Sequence, residues 1–131
     1  MNSFSKEERL CNVKLIDKLY HNSSSFLVYP FRILWFYADT NSPVPVQVLI
    51  SVPKKKFKKA VDRNLLKRRI REIYRKNKAD NLYIFLNQDS EKIILGINYV
   101  GNEILEYAFL EKKFLSAIQR LKNNISEKHV S

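Results

Sequence analysis

The sequence predicts an α/β fold of the α+β sandwich kind: a small, mostly antiparallel sheet packed with helices, in the order α-β-β-β-α-β-α. Three observations point there. Val44, Val46, Val48, Ile50 and Val52 alternate with Pro45, Gln47, Leu49 and Ser51, the period of a strand with one face committed to a core. From Ala60 to Asn77 the apolar residues fall instead at helical spacing. KIILGINYV, residues 92–100, is another strand, and Gly101-Asn102 ends it before a second helical pattern.

The elements follow in chain order. Ser5-Lys6-Glu7-Glu8 fits a capping box, and Leu10, Val13, Ile16, Leu19 and Tyr20 recur at helical spacing, so residues 6–21 are predicted as an amphipathic helix. His21-Asn22-Ser23-Ser24-Ser25 ends it. Residues 26–31 are apolar but contain Pro30, so a strand there should be short or at an edge. Residues 32–39 are rich in aromatic and β-branched types, and Thr40-Asn41-Ser42-Pro43 is a turn cluster. With the 44–52 strand beyond it, that pattern suggests an antiparallel hairpin. Residues 81–88 suit either a strand or more helix. Residues 103–123 read as the final helix, with Leu105, Phe109, Leu110, Phe114, Ile118 and Leu121 on its apolar side, and the tail SEKHVS is expected to fray. A single domain over 1–131, with an ordered core of about 5–123, fits this length.

Composition narrows function. The chain is 45% hydrophobic, ordinary for a globular domain. Two glycines leave little room for a phosphate-cradling Gly-rich loop, and the single Cys11 rules out an intrachain disulfide framework or a thiolate zinc cluster. His21 and His129 lack neighbours at metal-ligand or catalytic spacing, and Glu7-Glu8 is better explained by the capping box than by acid–base chemistry. The N-terminus lacks a secretory apolar core and no apolar run approaches membrane-spanning length, so a cytoplasmic protein is expected.

The charge is unevenly placed. KKKFKKAVDRNLLKRRIREIYRKNK, residues 54–78, holds thirteen Lys and Arg against Asp62 and Glu72, and its net +11 equals that of the whole chain. The other residues carry equal numbers of acids and bases. With Arg63 set at zero on a wheel of roughly 100° per residue, Leu66, Ile70, Ile73 and Tyr74 fall within about 280° to 20°. Asn64, Lys67, Arg68, Arg71 and Arg75 fall within about 40° to 140°. One side docks on the protein and the adjacent side presents cations; Arg69 lies apart, and most cations lack an acidic partner on the helix. Such a surface favours a polyanion, nucleic acid first.

The run AVDRNLLKRRIRE, with SVPKK before it, resembles the signature of the protein component of bacterial ribonuclease P. The family's Ala-Val-x-Arg-Asn-Arg-x-Lys-Arg-x-x-Arg-Glu stands here as Ala60, Val61, Arg63, Asn64, Leu65, Lys67, Arg68, Arg71 and Glu72. Three departures stand out. Leu65 replaces an arginine, KKKFKK replaces a Gly-Asn step so that Lys56, Lys58 and Lys59 substitute charge, and residues 80–91 are longer than in compact relatives.

The resemblance implies a ribosomal protein S5 domain 2-like fold with a left-handed βαβ crossover. It also implies that Lys54, Lys55, Lys59, Arg63, Asn64, Lys67, Arg68, Arg71 and Arg75 bind the catalytic RNA. A cleft between the first helix and the sheet would hold the single-stranded 5′ leader of precursor tRNA, with Ile16 and Tyr20 on the helix side and Trp35 and Tyr37 on the sheet side. Catalysis in this family belongs to the RNA subunit with its Mg²⁺, so no catalytic or metal-binding residue is expected in the protein, and one copy is expected per complex. The alternative is a non-catalytic RNA-binding protein, such as a ribosomal protein or assembly factor. A DNA-binding transcription factor lacks a helix-turn-helix partner or leucine heptad here, and the narrow apolar stripe suits a membrane surface poorly.

Overall fold

The computed structural model describes residues 4–38, 42–88 and 90–130, with only the backbone for 128–130. Helix α1 spans Val13–His21, strands β1, β2 and β3 span Ser24–Val28, Phe31–Tyr37 and Val46–Ser51, and α2 spans Ala60–Lys78. A π-helical turn, Ala79–Tyr83, carries α2 into α3, Ile84–Gln88; β4, Ile93–Tyr99, and α4, Tyr107–Val130, complete the chain. The ambiguity at 81–88 thus resolves as helix.

The sheet order is β1-β2-β4-β3, with β1–β2 and β2–β4 antiparallel and β3–β4 parallel. This corrects the expected β2–β3 hairpin, because β4 lies between them. The physical reason is in β4 itself: every residue from Ile93 to Ile97 is buried, as is Tyr99, so the strand needs cover on both faces and takes a central place. The hairpin is instead β1–β2, turning through a cis Tyr29-Pro30 bond, and β1 is the short edge strand that Pro30 predicts. Turn residues 39–41 lie outside the described residues.

Register assigns the faces. Ile33, Trp35, Ile97, Leu95, Val46 and Val48 share one face with Phe31 and Tyr99, against α2, α3 and α4. Phe31 meets Phe114 and Tyr99 edge-on at ring distances of 6.3 and 6.2 Å. Leu34, Ile94 and Leu49 point the other way, where Leu10, Leu15, Ile16 and Leu19 cover them. Gly96 permits that close approach, since a Cβ there would come within 2.8 Å of Leu19 Cδ2.

Helix ends differ from the sequence pattern for local reasons. Residues 6–21 do not form one helix: Lys6–Glu8 is a 3-10 turn, Arg9 and Leu10 run beside the β3 edge with the Leu10 amide donating to the Val48 carbonyl at 3.0 Å, and Asn12 caps α1 through the Leu15 amide. Helix α4 begins at Tyr107 rather than 103 because side chains hold the approaching backbone. Tyr99 donates to the Glu103 carbonyl at 2.5 Å and Arg69 to that of Leu105 at 2.8 Å. Helix α4 runs through Val130, with Ile125 buried, and Ser131 lies outside the described residues.

Candidate nucleic-acid interface

Helix α2 sorts its side chains as the wheel requires: Leu66, Ile70, Ile73 and Tyr74 are buried, while Asn64, Arg68 and Arg71 are exposed. The thirteen cations of 54–78 then divide by what they touch. Six are engaged within the protein. Lys56 donates to the Val100 carbonyl at 2.6 Å, Arg63 to those of Phe57 and Lys58 at 2.7 and 3.0 Å, and Arg69 to Leu105. Arg75 pairs with Glu72, Lys76 with Glu111 at 3.6 Å, and Lys78 with Glu8. The Arg75 guanidinium holds the Glu72 carboxyl below its usual range.

The other seven, Lys54, Lys55, Lys58, Lys59, Lys67, Arg68 and Arg71, have no hydrogen-bond or ion-pair partner among the described residues, and all but the half-buried Lys67 are exposed. Six of them are among the predicted RNA-binding residues. Lys58 stood in the sequence only as a charge substitute. Arg63 and Arg75, also predicted, spend part of their donor capacity inside the protein, whereas Asn64 is exposed and unbonded among the described residues.

The loop before α2 is built to present its lysines. Phe57 is buried in the middle of KKKFKK with its ring 5.9 Å from that of Tyr99, and its amide donates to the Pro53 carbonyl. Arg63 ties down the consecutive Phe57 and Lys58 carbonyls just before α2. Anchoring by Phe57 leaves Lys54, Lys55, Lys58 and Lys59 outside.

A buried ion pair fixes the far end of α2. Glu8 and Lys78 are 5% and 3% exposed, and Glu8 also accepts from Tyr83 at 2.5 Å and from the Ser5 amide and hydroxyl at 3.0 Å. Burial raises the Glu8 carboxyl, but the bonds from Lys78, Tyr83 and Ser5 outweigh it and leave the group below its ordinary value. Burial pushes the Tyr83 and Tyr74 phenols up, so both stay neutral donors. Lys78 therefore belongs to the scaffold. Arg9, which sequence reasoning passed over, shares a cavity of about 200 Å³ with Arg71, walled by Leu10, Cys11, Val48 and Ile50.

The seam between α1 and the sheet joins only some of the predicted cleft residues. Ile16 is half-buried over the sheet, and Tyr20 is 44% exposed with its hydroxyl 3.4 Å from Asn98 Oδ1. Trp35 and Tyr37 do not line this seam. They lie on the opposite face, Trp35 fully buried and Tyr37 donating to the Ile125 carbonyl at 3.4 Å. A strand alternates faces at every residue, so the α1 side takes the even positions, Arg32, Leu34 and Phe36. Phe36 is the sheet-side aromatic, with the Lys18 ammonium 4.5 Å from its ring centroid.

Polar Arg32 was the available signal for this parity; FRILWFY is otherwise apolar at both. Past the apolar contacts of α1 the same face holds Leu27, 48% exposed, the exposed Arg32 and half-buried Asn98, which the Tyr20 hydroxyl of α1 meets. Ser51 pairs in register with Asn98, so the lysine loop starts where this open face ends. No described helix is long and apolar enough to cross a membrane, and no group of three or more described His, Cys, Asp or Glu residues is placed to hold a metal ion.

Comparison with known proteins places this arrangement. A family model described as Ribonuclease P matches residues 4–97. The ribonuclease P protein component of Porphyromonas gingivalis is 30% identical over 121 residues, covering 92% of this chain and 88% of its own length. Among solved structures, the RNase P protein of Thermotoga maritima shares the fold with a TM-score of 0.68 at 22% identity, over 86% of this chain and 96% of that one. A mutant RNase P protein of Staphylococcus aureus aligns with a TM-score of 0.71 at 18% identity, over 89% and 90% of the two chains. The matched segment spans the lysine loop, the basic helix, β1 to β3 and most of β4, and on that ground the chain belongs to the ribonuclease P protein family.

Proposed function

We propose that this chain is the protein subunit of ribonuclease P, binding the catalytic RNA through its unpaired cations and the 5′ leader of precursor tRNA along the α1–sheet seam. The carrying observation is the concentration of seven unpaired cations on one loop and one helix side, next to an open sheet face with Tyr20, Asn98 and Arg32. Lysines neutralise phosphates as point charges, while Arg68 and Arg71 add bidentate bonds. An exposed Tyr20 offers a ring on which a single-stranded base stacks.

The protein supplies binding and orientation, and the RNA with its Mg²⁺ supplies the chemistry that hydrolyses the leader, in the cytoplasm, with one protein per complex. Mature tRNA lacks the leader, so contacts to it favour the precursor. Recovering the RNA bound to the tagged protein tests this choice of partner. Enrichment of ribonuclease P RNA and precursor tRNA is expected. Enrichment of ribosomal RNA alone would instead support a ribosomal protein or assembly factor.

A further inference from the structure

Leu65 stands where the family signature carries an arginine, and it is half-buried. It walls a cavity of about 330 Å³ together with Arg68, Arg69, Glu72 and Tyr107. That is roughly ten times the share of volume one water takes in the liquid, enough for a planar ring.

The walls divide by chemistry. Leu65 and the Tyr107 ring are apolar. The Arg69 guanidinium is fixed on the Leu105 carbonyl, and Glu72 is held by Arg75 with lone pairs left to accept from an amino group. Arg68 has no partner among the described residues and faces the same space. Val61, one turn earlier and 75% exposed, continues the apolar strip toward the lysine loop. A phosphate gains nothing from Leu65 or Val61, so the cavity does not simply extend the surrounding basic surface. A nucleobase suits both halves: its face packs on apolar and aromatic walls while its phosphate meets a cation.

We infer that the Leu65–Tyr107 cavity takes one unstacked nucleobase of the RNA bound by the basic surface. This rests on the RNA partner proposed above. Bulges and loops of a folded RNA supply such bases.

Binding of the cognate ribonuclease P RNA to the wild type, Leu65→Arg and Tyr107→Leu tests it, with circular dichroism confirming each fold. Leu65→Arg restores the family cation but fills the cavity; Tyr107→Leu keeps bulk and removes the ring. Each should weaken binding about tenfold, the size of one lost stacked base. If phosphate neutralisation alone governs this border, Leu65→Arg tightens binding and steepens its salt dependence instead, and Tyr107→Leu changes nothing. Either of those results with a binding wild type overturns the nucleobase site alone. A wild type that does not bind the RNA overturns the choice of partner, and the site with it.

Discussion

Removing three of the unpaired cations should change the salt dependence of RNA binding, and removing three engaged ones should not. Lys67, Arg68 and Arg71 sit on one side of α2 with no partner among the described residues. Replacing all three by Gln removes three of the proposed phosphate contacts. At about 0.7 to 0.9 per contact, the slope of log affinity against log salt should become shallower by roughly two to three. Between 50 and 200 mM salt this amounts to a relative change of roughly 15- to 40-fold.

The comparison variant carries Arg69, Arg75 and Lys76 as Gln. It loses the same charge from the same helix, but those groups are spent on the Leu105 carbonyl, Glu72 and Glu111. Its slope should move by less than about one. Filter binding or fluorescence titration across the salt series reads both. Equal slope changes in the two variants would refute the division of cations and leave only net charge as the determinant.

Four further substitutions have defined outcomes. Glu8→Gln leaves the Lys78 ammonium buried without its anion and should cost about 3–5 kcal/mol in urea melts at pH 7. Because Glu8 titrates below its ordinary value when folded, its contribution is present above the unfolded carboxyl range and is lost as pH falls through the lower folded value. The gap between wild type and variant should therefore shrink below about pH 4.5 and stay constant from pH 6 to 8. Tyr20→Ala should reduce the preference for leader-bearing over leaderless tRNA by roughly 5- to 100-fold while leaving stability nearly unchanged. Trp35→Ala should show the reverse pattern, with about 3–5 kcal/mol of stability lost as measured by chemical denaturation. Gly96→Ala forces Leu19 aside and should destabilise the α1 docking by about 1–3 kcal/mol, seen as faster amide exchange in α1.

The basic helix was legible because one period governs it: the same 100° step that buries Leu66, Ile70 and Tyr74 sets Arg68 and Arg71 outward. Strand pairing was less legible, because chain neighbours need not be sheet neighbours. The continuous burial of Ile93–Ile97, visible as an unbroken apolar run, was the sign that β4 and not β3 would lie beside β2. Trp35 and Tyr37 were placed by residue type, whereas register decides by parity, and half-buried Phe36 is the aromatic on the α1 side. The start of α1 was hidden for another reason: the competing partner of Arg9 and Leu10 is an edge strand nearly forty residues away. Likewise, the wheel shows Lys78 only as one more cation, since its anion, Glu8, comes from the N-terminal turn.

Reconstituted cleavage tests the proposed activity most directly. The purified chain, a cognate ribonuclease P RNA and precursor tRNA are combined at low Mg²⁺, and release of the 5′ leader is followed. The chain alone should cut nothing, and adding it to the RNA should strongly accelerate cleavage at the mature 5′ end. Cleavage by the chain without RNA, or a rate with RNA that the chain leaves unchanged, would contradict its role as the protein subunit.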